Sequence, residues 1–188
     1  MVISVRDLIT LLHGMGFGAL FMLAFSGAIG VIYATAASGG IWPASSPHYK
    51  LFRFYLLSMS ALAWITVLSG TYIVYPWYRA VAPAGTTDLT RYPRLLLLSN
   101  PMTAGWHEFG MEWKEHVSWF TPIAMTMVAV VFITYGPNIA RHRQMRNAIL
   151  GFTAAAFLAT LVSGVFGALI NVHAPTSGGP EIVLMGHK

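Results

Sequence analysis

No Asp, Glu, Lys or Arg occurs between Asp7 and Lys50. A run that long without charge must lie inside a large protein or inside a bilayer, because apolar surface of that extent is not left in water. The chain has 188 residues, too few for an interior that could hide it. Only 9% of the residues are charged, against about 25% in an ordinary soluble domain. Such a chain cannot cover its own surface, which excludes a soluble enzyme and a disordered tail. The net charge of +5 comes from 11 cations and 6 acids spread along an apolar sequence. No basic patch of the kind that tracks a phosphate backbone results, so no nucleic-acid partner is expected.

A bilayer core needs roughly 20 apolar residues per helix. Stretches at about 8–36, 51–77, 117–135 and 149–172 qualify. The expected fold is therefore all-α: an integral membrane four-helix bundle forming one four-span domain over residues 1–188, in contact with membrane lipid. The first stretch is too long for a secretory leader and lacks its cationic start and small-residue cleavage site, so it reads as a retained helix. The two short connections carry Lys50, Arg53, Arg141, Arg143 and Arg146 and no acid, whereas all six acids fall on the other side. Short cationic loops stay in the cytoplasm. Both termini and the long loop 78–116 are thus expected to face outward, toward the periplasm of a bacterial inner membrane. Trp77, Tyr78, Trp106, Trp113 and Trp119 are expected at the outer interface, and Trp42, Tyr49 and Tyr135 at the inner one.

Small residues supply close helix contact: Gly14, Gly16, Gly18, Gly27 and Gly30 in the first stretch, Ser69-Gly70 in the second, and Ser163-Gly164 and Gly167 in the fourth. They also leave room for a flat macrocycle. A weak repeat is visible: Thr66-Val67-Leu68-Ser69-Gly70 resembles Thr160-Leu161-Val162-Ser163-Gly164 at an offset of 94 residues, and the same offset relates His13 to His107 and His48 to His142. This spacing suggests two duplicated helical hairpins.

The seven histidines sort by topology. His48 and His142 fall on the inner side, and His187 lies in the tail. His13, His107, His116 and His173 converge on the outer side from different segments. His13 lies 23 residues from Ala36, His116 lies 19 from Tyr135 and His173 lies 27 from Arg146. At about 1.5 Å per residue their heights differ by only about 6–12 Å. Ionisable side chains at membrane depth are costly and usually functional, and His13, in an otherwise apolar helix, is the foremost candidate. With no cysteine in the chain, a cofactor must be held by His, Met, carboxylate or backbone. Imidazoles from facing helices suit haem b, with Arg79, Arg91, Arg94 and Lys114 available to its propionates.

Four spans with histidines at helix ends resemble the four-helix membrane b-type cytochromes and cytochrome-b-like membrane anchor subunits, over most of the chain. The resemblance implies a haem-binding subunit that passes electrons between the quinone pool and an outer-side redox protein, together with other subunits of a complex. On it, the iron would take His13 with His116 or His173, with His107 as a further candidate and Arg91 and Arg94 near the propionates. Paired histidines about a dozen residues apart on one helix, common in cytochrome b proper, are missing, which favours a single outer haem.

A second constellation runs from Trp106 to His116. Read as a helix, Glu108, Glu112 and His116 share one stripe, and Trp106, Phe109 and Trp113 share another. Glu108 and Glu112 are candidate proton acceptors from a quinol. His107, Glu112, His116 and His13 are alternatively a copper site. The stripe lacks the Glu-x-x-His pair of di-iron bundles. A further alternative is a non-catalytic structural subunit of a respiratory or photosynthetic complex, its histidines binding a pigment or nothing. No phosphate loop, nucleophile elbow or zincin helix occurs.

Overall fold

The computed structural model describes residues 2–37 and 45–183. Trp42, Met185 and His187 lie outside them. The chain is mostly helical, and four helices are long and apolar enough to cross a membrane: span one (Val5–Ala34), span two (Pro47–Tyr78), span three (Pro101–Tyr135) and span four (Arg143–His173). This is the architecture of a multi-pass membrane protein. Helices suit lipid because every interior backbone N–H and C=O is satisfied within the segment. Span four, at 31 residues, is about 46 Å long and overshoots a hydrocarbon core of about 30 Å.

Each helix starts where the sequence supplies a start. Ser4 and Asp7 form a reciprocal capping box at span one: the Asp7 N–H donates to Ser4 Oγ (3.1 Å) and the Ser4 N–H to Asp7 Oδ2 (3.2 Å). That cap sets the start at Val5, three residues before the expected boundary. Span two starts at Pro47 after Ser46. Span three starts at Pro101, where Asn100 Oδ1 accepts from the Met102 N–H at 2.9 Å; proline at the first helical position is favoured. The segment 106–116, expected within an outer loop, is instead the first third of span three. A short helix, Pro93–Leu98, precedes it and is tied to it by Thr103, whose hydroxyl donates to the Leu97 carbonyl at 2.8 Å.

The spans pack in a ring, one against two, two against three, three against four, and four back against one. The main core is lined by Phe21, Leu56, Met59, Met125, Val128 and Ile149, all almost fully buried. Water has no part in packing within lipid, so shape and interhelical hydrogen bonds carry the association. Spans two and three share Ser60 Oγ···Thr126 Oγ1 (2.9 Å) and Trp64 Nε1–H to Thr126 Oγ1 (3.0 Å). Spans three and four share Thr121 Oγ1···Thr160 Oγ1 (3.0 Å) and Ser118 Oγ···Ser163 Oγ (2.8 Å). Each such bond contributes about 0.6 kcal/mol on average. Span one meets span four through stacked Phe25 and Phe157 at 4.1 Å. It meets span two through the Tyr55 hydroxyl, which donates to the Ala24 carbonyl across Gly27.

Two features were not foreseen. Residues Val2–Ser4 (β1) and Glu181–Val183 (β2) pair as an antiparallel ladder, with Val2 opposite Val183. Both ends of the described chain therefore meet at one end of the bundle, called the terminal end below. Thr10 and Thr176 reinforce the junction at 3.0 Å. Tyr49, Trp106 and Trp113, expected as interface aromatics, also make packing contacts within the bundle. Tyr49 is 3% exposed and packs on Phe132. Trp106, Phe109 and Trp113 surround Phe166 of span four at ring distances of 6.5, 5.5 and 6.3 Å. Gly110 permits that approach, since a Cβ there would stand 3.1 Å from the Phe166 ring.

Candidate functional site

Spans one, two and three each contain a π-helical turn: Leu12–Gly18, Gly70–Val74 and Trp106–Met111. All three fall toward the terminal end. Such turns are rare and concentrate at functional sites, where they re-aim side chains. The first and third are related by the offset of 94 residues seen in the sequence, since shifting 12–18 by 94 gives 106–112. His13 and His107 hold equivalent places in the two turns, as do Gly16 and Gly110.

His13 points between spans one and two. Its Nδ1 lies 3.0 Å from Ser69 Oγ. The Ser69 hydroxyl donates to the Thr66 carbonyl at 3.0 Å, so Oγ has only lone pairs left for His13. A neutral His13 that donates through Nδ1 carries its remaining lone pair on Nε2, and the Thr66 backbone is also within bonding reach of the imidazole. Second partners fix the tautomer of ligating histidines in this way. The Cε1 side of the ring lies close to Gly70, where a Cβ would stand 2.6 Å from Cε1 and 3.1 Å from Nε2.

A matching arrangement occupies the other hairpin. Lys114 of span three reaches span four, and its Nζ donates to the Ser163 carbonyl at 3.2 Å. Ser163 is the offset counterpart of Ser69. Gly167 makes the space, because a Cβ there would stand 2.9 Å from Nζ. The Lys114 ammonium is close enough for its charge to act on the His13 imidazole. Its neighbours Trp113 and Glu115 each bury a polar atom, Nε1 and Oε1, with no hydrogen-bond partner among the described residues. Segment 113–115 thus turns three polar groups toward the bundle, whereas the expected stripe of Glu108, Glu112 and His116 is exposed.

His107 is committed elsewhere. Arg94 Nε–H, an obligate donor, points at His107 Nε2 at 3.4 Å, and His107 Nδ1 lies 2.8 Å from the buried Tyr78 hydroxyl. Nε2 therefore accepts and Nδ1–H donates to the Tyr78 oxygen. With both nitrogens engaged, His107 is a poor ligand for iron or copper, and Arg94 serves this imidazole. His116 donates Nδ1–H to the Glu112 carbonyl at 2.9 Å and leaves Nε2 outward; Glu112 Oε2 stands 3.6 Å away. His173 ends span four exposed and stacked on Trp106 at 6.2 Å, 12° from parallel. Arg91 is separate from these groups, lining an open cavity with Arg6. His48 and His142 sit at the opposite end.

Among the described residues no three of His, Asp and Glu come close enough to hold a metal ion. The copper grouping of His13, His107, Glu112 and His116 is thus not assembled within them. For haem, the imidazoles of His13, His116 and His173 are the donor groups available among the described residues, the ligand type that a b-type iron takes. Sequence reasoning missed Lys114 as an inward group and Tyr78 as the partner of His107. The Ser-Gly repeat at 69–70 and 163–164 was the available signal for the first, because each pair receives a polar side chain from the preceding helix. Compared with known protein families, curated proteins and solved structures, the chain matches none.

Proposed function

We propose that the chain is a membrane-embedded b-type haem subunit. It exchanges electrons between the quinone pool and a redox protein at the terminal end, within a larger complex of a bacterial inner membrane whose outer side receives that end. The observation that carries the reading is the His13 imidazole, held at Nδ1 by the Ser69–Thr66 relay. A ligating histidine is normally anchored through its second nitrogen, which orients the ring and raises its basicity. His13 would hold the iron, with His116 or His173 as the second ligand. A bound haem supplies one-electron transfer without bond rearrangement.

The chain's own residues do the rest. Ser69 fixes the His13 tautomer. Gly70 lets the ring lie close against span two. The Lys114 charge favours the state of the site holding one more electron, since a cation stabilises added negative charge. Glu108 and Glu112, exposed at the terminal end, receive protons released there.

The visible spectrum of the purified chain tests the reading. Sharp reduced-minus-oxidised bands are expected, lost in His13→Ala and kept in His107→Ala. A chain purified with its complex yet colourless would refute it and leave the structural-subunit reading, which the hydrogen-bonded commitment of His107 favours. Copper without haem on elemental analysis would point to the metal alternative.

A further inference from the structure

The terminal end holds a cavity of about 420 Å³ where the β1–β2 ladder crosses the connection between spans two and three. Its walls bring together Arg6, Arg91, Ser177, Gly178, Gly179 and Glu181, residues up to 175 positions apart in the chain. Gly178 and Gly179 have φ of +104° and +87°, a conformation that favours glycine. A Cβ at Gly179 would stand 3.6 Å from Cγ of Arg6, so the glycine lets the Arg6 stem pass close by. The Arg6 guanidinium rests over the Trp77 ring at 5.5 Å, which holds it in place without neutralising it.

Among the described residues neither Arg6 nor Arg91 makes a salt bridge. Two guanidiniums against one carboxylate, Glu181, leave the cavity positively charged. Guanidinium forks match phosphate oxygens in pairs. The volume lies at the low end of ligand sites, about 300–1,000 Å³, which suits a headgroup and not acyl chains. We propose that this cavity binds a phosphate group carrying net negative charge, brought by an anionic phospholipid headgroup or by a soluble phosphate. The site does not depend on the haem reading.

The test uses the full chain in detergent. Phosphatidylglycerol is added and retention is read by native mass spectrometry, with phosphatidylcholine as the neutral comparison and inorganic phosphate as competitor. One phosphatidylglycerol per chain is expected. Retention should fall about tenfold or more in Arg6→Gln and in Arg91→Gln, the loss of one charge-assisted contact, and stay unchanged in Arg141→Gln at the opposite end. Lipid retention that survives millimolar phosphate assigns the lipid as the source. Phosphate binding without lipid retention assigns a soluble phosphate. Phenylglyoxal labelling of the unmutated protein covers the case of unstable variants: bound ligand should protect Arg6 and Arg91 and spare Arg141. Retention in Arg6→Gln and Arg91→Gln as high as in the unmutated chain, or no protection of either arginine, overturns the proposal.

Discussion

Adding one methyl group at Gly70 probes the contact that orients His13. The new Cβ would stand 2.6 Å from Cε1 of the imidazole, inside any tolerable separation. The ring must retreat, and its 3.0 Å bond to Ser69 breaks as it does. Overpacking costs about 1–3 kcal/mol and a lost hydrogen bond about 0.5–1.5 kcal/mol. Alanine returns about 1 kcal/mol of helix propensity. Gly70→Ala is therefore expected to destabilise the chain by about 0.5–3.5 kcal/mol, or a fall of several degrees in Tm at about 2–4 °C per kcal/mol for this size. Gly30→Ala is the control, since nothing lies within 4 Å of its Cβ position. The decisive measurement is a double-mutant cycle with His13→Ala, read by thermal unfolding in detergent. Once the ring is gone the Gly70 methyl should keep only its helix-propensity gain of about 1 kcal/mol, so the coupling energy should exceed the single-mutant loss by about that amount. An equal Gly70→Ala penalty with and without the imidazole would refute the packing argument.

Further outcomes follow from the same geometry. Tyr78→Phe leaves His107 Nδ1–H without its acceptor and should cost about 1–3 kcal/mol in thermal unfolding, while His107→Phe with Tyr78→Phe should recover part of it. Lys114→Met removes an inward charge in a site with room for the stem, so stability should hold or rise while the midpoint potential of a bound haem falls; an unchanged potential counts against the electrostatic role. Asp88 lies outside the spans, and its carboxylate accepts from the Thr90 hydroxyl and N–H at 2.7 and 3.0 Å. Those bonds hold its pKa below the ordinary value of 3.8, so their contribution is complete above that value and disappears as pH falls through the lowered one. A carboxyl-carbon NMR titration with its midpoint at or above 3.8 would contradict this.

The four spans were legible because hydropathy over about 20 residues is a property of local sequence. The starts of spans one and three were legible only in hindsight, in Ser4 with Asp7 and in Asn100 with Pro101. The amphipathic reading of 106–116 assumed an α-helical period throughout. A π turn has more residues per turn and breaks that period: Glu115, beside the Glu108–Glu112 stripe in an α-helix, buries Oε1 instead, whereas Lys114, which meets Gly167, is opposite that stripe already at α-helical spacing. No hydrophobic pattern announces that change. The histidines stand out in the sequence as ionisable groups at helix ends. Which partner each takes depends on Ser69, Tyr78 and Trp106, contributed by other helices and invisible to spacing along one chain. The β1–β2 ladder escaped for the same reason, being three residues on each side and separated by nearly the whole chain.

That ladder ties together two helices that are remote in sequence. With Val2 opposite Val183, the start of span one and the segment after span four are drawn to the same end of the bundle. The ring of four helices is thereby closed by backbone hydrogen bonds as well as by side-chain packing, so loosening either strand would free the ends of both spans at once.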